Sequence, residues 1–479
     1  MRRPTIYDSL TRESRLFAPI VPPKVNLFVC GLTPYAEAHI GHAKTAVTFD
    51  VVARTLTRWG YRVFHVQNVT NLDDKVIARA AELGSDPLVV SERNAISWQL
   101  AMQRLGVRTV NYYPYATDFI PEIIRQTESL IAKGAAYAVE GSVYFEVAKF
   151  PEYGKLSGQR VEALRPGARV EVDRRKRAPE DFVIWKAATP GEPSWESPWG
   201  PGRPGWHIED TAITLRLLGE RYDVHGGGLD LIFPHHEAEI ALAESTTGKS
   251  PLVNFWMHVG LLNMGGEKMS KSLGNVYSLD SALDEFGPMV IRFYYVNAHY
   301  RSPLDFVPGK SLEEAREAYE RLNGTHQKIR ALLQAEGMER GGQELPADVA
   351  QSASDALDAM ESAMADDFNT REAMARLFEW VTAIQPWMPR IETLSGTALG
   401  SLNIPFRWAE EVLGLFEDGP AAMTEGWTRV VEVAIAARAR ARARGDFAEA
   451  DRIRDELAQA GVRIEDHDGG TRWTVARES

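Results

Sequence analysis

The sequence predicts an α/β protein, with a Rossmann-like parallel-sheet catalytic domain that an inserted domain interrupts, followed by a helical C-terminal half. An apolar run at Val25–Val29 precedes a helical pattern from Ala43 to Thr57, and a second apolar run covers Val63–Val69. Strand, helix and strand at this spacing form a βαβ unit, whose strands are parallel and buried. After Asn275 the apolar residues recur almost entirely at helical spacing.

Changes in composition mark the expected domain boundaries. The 479 residues suffice for two to four domains, and a hydrophobic content of 44% supports large cores. Between about 110 and 200, short apolar pieces alternate with polar and proline-rich ones, which indicates an insertion into the sheet. The predicted units are a split catalytic domain (1–110 and 200–275), a connective insertion (111–199), a helical region (276–340), a helical bundle (341–420) and a small C-terminal domain (421–479).

Charge and apolar runs limit the classes of function. A net charge of −12 argues against indiscriminate nucleic-acid binding, although a specific RNA partner needs only a local basic face. The longest apolar runs are too short to span a bilayer, and the N-terminus lacks an apolar signal segment. The single cysteine excludes an internal disulfide, which is consistent with a reducing compartment. We therefore expect a cytoplasmic protein without a membrane partner.

The turn between the first strand and the first helix carries reactive side chains. It holds Cys30 and, nine residues later, the motif His39-Ile40-Gly41-His42. Open parallel sheets bind ligands at such turns, and the N-terminus of a helix favours phosphate. A lone cysteine on an apolar strand is commonly a small core residue, and a lone histidine pair is commonly a surface or packing feature. The turn alone therefore leaves both interpretations open.

A second motif, Lys268-Met269-Ser270-Lys271-Ser272, follows Gly265-Gly266 far downstream. Its lysines can act as point charges on phosphates, and the glycines allow the loop to close. Together with the histidine motif and the α/β pattern, it resembles the class I aminoacyl-tRNA synthetases. The resemblance implies that a carboxylate joins the α-phosphorus of ATP and expels pyrophosphate, a reaction that positioning and charge stabilisation promote. It implies four catalytic residues: His39, His42, Lys268 and Lys271.

A third stretch runs from His225-Gly226-Gly227-Gly228 to Pro234-His235-His236-Glu237-Ala238-Glu239. Pro234 suits the first position of a helix, so His235 and Glu239 share one face and offer half a metal site. The alternative is a histidine at a helix start beside a solvated glutamate. The glycine run indicates either a turn or a close backbone approach to a nucleotide.

Further stretches are similar to the cysteinyl-tRNA synthetase family over nearly the full chain. They are Cys30 before the histidine motif, Gly205-Trp206-His207-Ile208-Glu209, Asn68–Lys75 and Asp366–Thr370. The resemblance implies L-cysteine, ATP with Mg²⁺ and tRNA(Cys) as substrates, and we expect a monomer. It places Gly31, Thr70 and Trp206 near the amino acid, although Trp206 could instead be a core aromatic. It places Gly41, His225, Gly227, Asp230 and Lys271 at ATP.

In that family a zinc ion, held by two cysteines, a histidine and a glutamate, binds the substrate thiolate. Cys30, His235 and Glu239 match this set, but Asp210 stands where the family has its second cysteine. Aspartate keeps the charge of a thiolate and is an acceptable zinc ligand, with bonds of ~2.0–2.2 Å against ~2.3 Å for sulfur. We expect one zinc per chain, with Asp210 as ligand or close neighbour; a weaker site or another metal is the alternative.

Zinc is needed for selectivity because size alone separates serine from cysteine poorly. Zinc prefers sulfur, and a thiol bound to it loses its proton near neutral pH far more readily than an alcohol does. One oxygen ligand in place of sulfur should leave this preference intact, although weaker.

The resemblance assigns tRNA binding to the helical part after about residue 305, with 276–340 in contact with the stem and 421–479 at the anticodon. Arginines at 438, 440, 442 and 444 form two helical stripes on nearly opposite sides, so one stripe at most faces a phosphate backbone. A solvated helix is the alternative. Trp473 beside Arg472 either stacks on an unpaired base or anchors the tail to its own domain.

Two other functions fit parts of the sequence. One is a cysteine ligase that acts on an amino sugar, which Thr33-Pro34-Tyr35 favours; such relatives lack the extended C-terminal end. The other is a non-catalytic synthetase-like RNA-binding protein, which Asp210 alone favours and both intact motifs oppose.

Overall fold

The structure, a computed structural model, describes most of the chain in two units, residues 1–416 and 417–479. The described ranges are 2–159, 173–269, 276–336 and 339–416, followed by 434–435, 438–439, 442, 447–459, 462–467 and 470–475. Three residues of the predicted sites and arginine stripes lie outside these ranges: Lys271, Arg440 and Arg444. The described residues contain no helix that is long and apolar enough to cross a membrane.

The predicted α/β fold is confirmed. Five strands form a sheet in the order β11-β10-β3-β4-β5, and all four neighbouring pairs are parallel. The strands described are β1 (Thr5–Asp8), β2 (Glu13–Leu16), β3 (Lys24–Leu32), β4 (Arg62–Val69), β5 (Val110–Tyr112), β6 (Ala136–Val139), β7 (Ser142–Phe145), β8 (Phe182–Ala187), β9 (Gly202–Pro204), β10 (Tyr222–Gly228), β11 (Val253–Val259), β12 (Leu262–Met264), β13 (Glu267–Lys268), β14 (Leu304–Phe306), β15 (Val462–His467) and β16 (Gly470–Val475).

An antiparallel sheet of β6, β7, β8 and β9 lies between the two halves of the parallel sheet in sequence. Strands β6, β7 and β8 lie within the predicted insertion (111–199), whereas β9 (Gly202–Pro204) lies beyond it and leads directly into the helix that begins at Trp206. The predicted domain limits stay predictions. The strand Leu304–Phe306 departs from the all-helical expectation after residue 275, because it pairs with β12 of the loop that carries Lys268.

Helices cover the sheet and form most of the C-terminal half. They are α1 (Ile40–Arg58), α2 (Asp74–Leu83), α3 (Pro87–Arg104), α4 (Ile120–Ala132), α5 (Trp206–Leu217), α6 (Glu237–Thr247), α7 (Leu279–Phe286), α8 (Pro288–Val296), α9 (Ser311–Glu336), α10 (Ala347–Ala365), α11 (Thr370–Ile384), α12 (Gly396–Trp408) and α13 (Phe447–Gln459). Glycines with positive φ angles end two helices, Gly84 after α2 and Gly287 after α7, and a proline begins the next helix in each case.

A buried ion pair joins the helical part of the first unit to its sheet. Arg292 of α8 is fully buried and pairs with Asp50 of α1, and it also donates to the carbonyl oxygens of Leu413 and Leu105 at 2.6 and 2.9 Å. These bonds satisfy a guanidinium that would otherwise be costly to bury. The second unit contains α13 and the hairpin β15–β16, in which Ile464 lies opposite Trp473.

Candidate active site and metal centre

A cavity of about 750 Å³ opens at the carboxyl ends of the central strands β3 and β4. This is the edge at which open parallel sheets bind their ligands. The residues that line it include ten of the predicted site residues: Cys30, Gly31, His39, Gly41, His42, Thr70, Trp206, Asp210, Asp230 and His235. The backbone of Lys268 lies on β13, and Met269 beside it reaches the cavity wall.

The two histidines of the first motif shape the N-terminus of α1. His39 is the N-cap: its side chain accepts a hydrogen bond from the Gly41 amide at 3.1 Å, and the His42 ring accepts one from the His39 amide at 3.3 Å. The two rings stack with centroids 3.7 Å apart. The helix therefore begins at Ile40, three residues before the apolar pattern indicates it, and its N-terminus faces the cavity.

Cys30 lies at the wall of the cavity and is surrounded by polar groups. Its Sγ is 3.4 Å from Asp210 Oδ2, 3.4 Å from His225 Nε2 and 3.2 Å from His236 Nε2. Burial, together with the negative charges of Glu239 and Asp210, raises the pKa of the Cys30 thiol well above its usual value. The sulfur thus faces a cluster of polar groups, while the residue also packs against apolar neighbours such as Phe28 and Val66.

Asp210 is held so that one oxygen points into this cluster. Asn68 Nδ2 donates to its Oδ1, while Asn68 Oδ1 accepts from the Gly31 amide at 2.6 Å. The other oxygen, Oδ2, lies 3.1 Å from His235 Nε2. The ring of Trp206, whose side chain is 40% exposed, stacks on His235 with centroids 4.3 Å apart. Trp206 is therefore a wall of the cavity.

Glu239 gives the strongest indication of a cation-binding site. It is buried on the first turn of α6, and its Oε2 has no hydrogen-bond partner. Buried polar atoms are nearly always paired, so an unpaired carboxylate oxygen is consistent with a bound cation beside it. Cys30, Asp210, His235 and Glu239 each offer one donor atom, and these four atoms lie within 4.8 Å of one another. Two buried carboxylates, a thiol and an imidazole therefore form a set that fits a zinc ion.

Sequence reasoning missed His236 and placed His225 elsewhere. Both rings are fully buried behind Cys30, and neither is among the described residues that line the cavity. Burial lowers the pKa of both imidazoles well below the usual value, so they are neutral and keep a lone pair. The pair His235-His236 was the available signal, because two consecutive imidazoles at a helix start point to different sides. Gly227, predicted at ATP, is also buried and packs against the His236 ring.

The fold and the two motifs define a class I aminoacyl-tRNA synthetase. Among solved structures, the chain is similar to Mycobacterium tuberculosis methionyl-tRNA synthetase in complex with methionyl-adenylate, with a TM-score of 0.61 and 16% identity over 82% of this chain and 92% of that one. It is also similar to a leucyl-tRNA synthetase complex from Agrobacterium radiobacter K84, with a TM-score of 0.60 and 12% identity over 83% and 85%. At these identities the likeness shows the fold alone.

Sequence comparisons identify the family. The tRNA synthetases class I (C) catalytic domain matches residues 16–317, a DALR domain matches 359–417 and the cysteinyl-tRNA ligase anticodon binding domain matches 425–473. Cysteine–tRNA ligases from Alkalilimnicola ehrlichii and Pelotomaculum thermopropionicum are 45% and 44% identical, over 98% of this chain and 99% of each relative. The chain belongs to the cysteine–tRNA ligase family, and its activity is the ATP-dependent attachment of cysteine to tRNA(Cys).

Proposed function

We propose that the buried cluster holds one zinc ion per chain, and that Cys30, Asp210, His235 and Glu239 present it to the substrate cysteine. The observation that carries this proposal is the unpaired Oε2 of Glu239 beside three further donors. Cys30, Asp210 and His235 also line the cavity, so an ion among them faces an incoming ligand. When bound, zinc favours sulfur over oxygen and promotes loss of the thiol proton, which separates cysteine from serine.

The protein's own groups orient and enclose the amino acid. Asn68 fixes both Asp210 and the Gly31 amide, so the metal donors and the backbone at the end of β3 keep one geometry. Gly31 and Thr70 lie on the cavity wall beside Trp206, whose aromatic face covers His235. We assign these three residues to the amino acid, because they surround the same end of the cavity as Cys30.

For adenylate formation we propose roles for the two signature motifs. His39, Gly41 and His42 lie at the N-terminus of α1, where backbone N–H groups and the helix dipole favour phosphate. Lys268 and Lys271 supply positive charge to the phosphates and to the leaving pyrophosphate, and ATP enters with Mg²⁺. Asp230 lines the cavity and is assigned to ATP. The assignments of His225 and Gly227 to ATP stay predictions.

Transfer to tRNA(Cys) requires surfaces beyond the cavity, and we assign them to residues 276–479. The matches to a DALR domain and to an anticodon binding domain support this division, and they count against an amino-sugar acceptor. The cavity with its histidine motif counts against a non-catalytic RNA-binding protein. A monomer in the cytoplasm remains our expectation for the state and location of the protein.

Substitutions of Asp210 test the metal assignment. Asp210→Asn keeps the shape of the side chain but removes its charge, whereas Asp210→Cys restores a sulfur ligand. We expect Asp210→Asn to weaken zinc binding at least ~10-fold, the lower range for loss of a group that supports a metal site. We expect Asp210→Cys to retain zinc and to raise the ratio of cysteine to serine activation in ATP–pyrophosphate exchange. Unchanged metal content, rate and ratio in both variants would make Asp210 a bystander.

A further inference from the structure

Lys44 of α1 is a buried cation two residues after the histidine motif. It is 2% exposed, and it is not among the described residues that line the cavity, although Gly41 and His42 of the same helix are. Its ammonium donates to the carbonyl oxygen of Gly260 at 2.6 Å and to that of Ser302 at 2.8 Å. The side chain therefore binds backbone behind the cavity wall.

The burial of this ammonium is costly. No carboxylate among the described residues forms an ion pair with it, and burial lowers the pKa of Lys44 to about 8. The buried Arg292 of α8 is by contrast paired with Asp50. Two carbonyl oxygens accept hydrogen bonds from an ammonium but do not neutralise its charge. A buried charge without a counter-ion stabilises a fold poorly, so the two contacts are where a role for Lys44 is to be found.

The two carbonyl oxygens stand at the start of the strands that support the second motif. Gly260 is two residues before β12, and Ser302 is two residues before β14. These strands pair in parallel, with Leu262 opposite Leu304, and β12 also pairs with β13, which ends at Lys268. One ammonium therefore holds both parallel strands at the end from which the β12–β13 hairpin extends.

The backbone around Gly260 is tightly packed, so the two strands move together. The Gly260 amide donates to the carbonyl oxygen of Tyr300 at 2.9 Å. A Cβ at Gly260 would lie 2.4 Å from the carbonyl oxygen of Arg301 and 2.6 Å from that of Ser302. Any displacement at Ser302 is therefore passed on to β12 and its hairpin.

The chain that follows the second motif is also attached to the start of α1. The Ile40 amide donates to the carbonyl oxygen of Tyr277, and the Leu279 amide donates to that of Ala38, each at 3.1 Å. Backbone bonds thus hold the downstream end of the stretch that carries the second motif, and the Lys44 ammonium holds its upstream end. Both ends are fixed to the element that presents the histidine motif.

We propose that Lys44 is a positioning residue for adenylate formation: it fixes the β12–β13 hairpin, and so Lys268, relative to His39 and His42. This inference rests on the roles proposed for the two signature motifs. In that step a carboxylate oxygen of cysteine bonds to the α-phosphorus of ATP as the bond to pyrophosphate breaks. A misplacement of about 1 Å at a reacting centre costs on the order of 10²-fold in rate. The amino-acid end of the cavity lies on β3, β4 and α5, so cysteine binding should not depend on Lys44.

Lys44→Met removes the ammonium and keeps an unbranched apolar side chain. We expect kcat of cysteine-dependent ATP–pyrophosphate exchange, per folded chain, to fall at least ~10-fold. The Kd of cysteine, measured by calorimetry without ATP, should change less than about twofold. Arg221→Met is the matched control: Arg221 donates to the carbonyl oxygen of Pro251, at the end of β11 opposite to Gly260, and its loss should leave exchange within about twofold. Exchange within twofold of wild type in Lys44→Met, or an equal loss of cysteine affinity, would overturn the inference.

A double-mutant cycle with Lys268→Met tests whether Lys44 acts through the second motif. Lys268→Met alone should slow exchange at least ~10-fold, and an unchanged rate would overturn the proposed role of the motif itself. In that background Lys44→Met should cost less than about threefold, because the charge that Lys44 positions is already gone. Fully multiplicative losses would overturn the positioning role and leave that of the motif intact. Should Lys44→Met fail to fold, the shorter donor in Lys44→Gln replaces it: a severalfold loss of exchange is expected, and none would overturn the inference.

Discussion

Gly31 has no room for a side chain, and this makes Gly31→Ala a direct test of the site geometry. A Cβ at this position would lie 1.8 Å from the backbone oxygen of Asn68 and 2.9 Å from its carbonyl carbon. Lengthening the first contact to an acceptable 3.0 Å requires the two strands to separate by about 1.2 Å. Both neighbours belong to central strands, so the movement displaces Cys30 and the Asn68 side chain, which holds Asp210.

The expected loss follows from this displacement. A misplacement of about 1 Å at a reacting centre costs on the order of 10²-fold in rate, and overpacking of a core costs roughly 1–3 kcal/mol of unfolding free energy. We therefore expect cysteine-dependent ATP–pyrophosphate exchange to fall about 100-fold in Gly31→Ala, while thermal unfolding shows a folded but destabilised protein. Reduced zinc content should accompany the loss, because Cys30 and Asp210 move apart.

Gly324→Ala provides the matched control. Gly324 lies within α9, and a Cβ there meets no atom within 4 Å. Alanine is the better helix former, so this variant should gain about 0.5–1 kcal/mol of unfolding free energy and keep its exchange rate. Exchange within twofold of wild type in Gly31→Ala would show that the end of β3 tolerates the shift, and would refute the argument that Gly31 and Asn68 set the metal geometry.

The remaining predictions concern the C-terminal unit and the buried ion pair. Removal of residues 427–479 should spare pyrophosphate exchange and cripple tRNA charging; unimpaired charging would contradict the assignment of this unit to tRNA. Arg292→Met should lower the unfolding free energy by about 3–5 kcal/mol, since it removes a positive charge that compensates the buried negative charge of Asp50. Burial raises the pKa of Asp50, but the Arg292 and Arg54 charges outweigh it and hold the pKa below its usual value. The stability that ionised Asp50 contributes to the fold is therefore fully present above about pH 4, and it is lost as pH falls through the folded-state pKa of Asp50. The free energy of unfolding, measured with denaturant, should fall more steeply below pH 4 in the wild type than in Asp50→Asn. Equal slopes in the two proteins would contradict this.

The elements of the sheet were predictable because their signals are local. The apolar runs mark β4 within one residue, and mark β3 as a strand that continues three residues further, to Leu32. Helix α1 begins before the predicted start because His39 and His42 cap it with their side chains. Capping imidazoles are not part of the apolar spacing from which the helix was predicted. The cysteine-binding function followed from motifs, whereas the breaks at Gly84 and Gly287 depend on single residues with positive φ.

The contacts of His225 and His236 with Cys30 could not be predicted from spacing. His225 comes near Cys30 only because β10 pairs in parallel with β3, with His225 opposite Phe28. His236 comes near because the turn after β10 returns α6 towards the same sulfur, which lies 206 residues away in sequence. Such contacts depend on strand register and on the path of a turn, and neither is contained in the local pattern. Cys30, Asp210, His235 and Glu239 could be predicted together because each occupies a position that the family motif defines.

The contacts of Asp210 are those that a carboxylate would need in order to serve as the proposed zinc ligand at the position where the family has a sulfur. A thiolate presents one donor atom, but a buried carboxylate has two oxygens, and the one that does not face the metal needs its own hydrogen bond. Asn68 supplies that bond to Oδ1 and is itself fixed by the Gly31 amide. Oδ2 is then left between Cys30 Sγ and His235 Nε2, at 3.4 and 3.1 Å. Asn68→Ala should therefore impair zinc binding more in this protein than in its Asp210→Cys variant, because a sulfur ligand has no second oxygen to satisfy; equal losses in both would show that Asn68 acts through Gly31 alone.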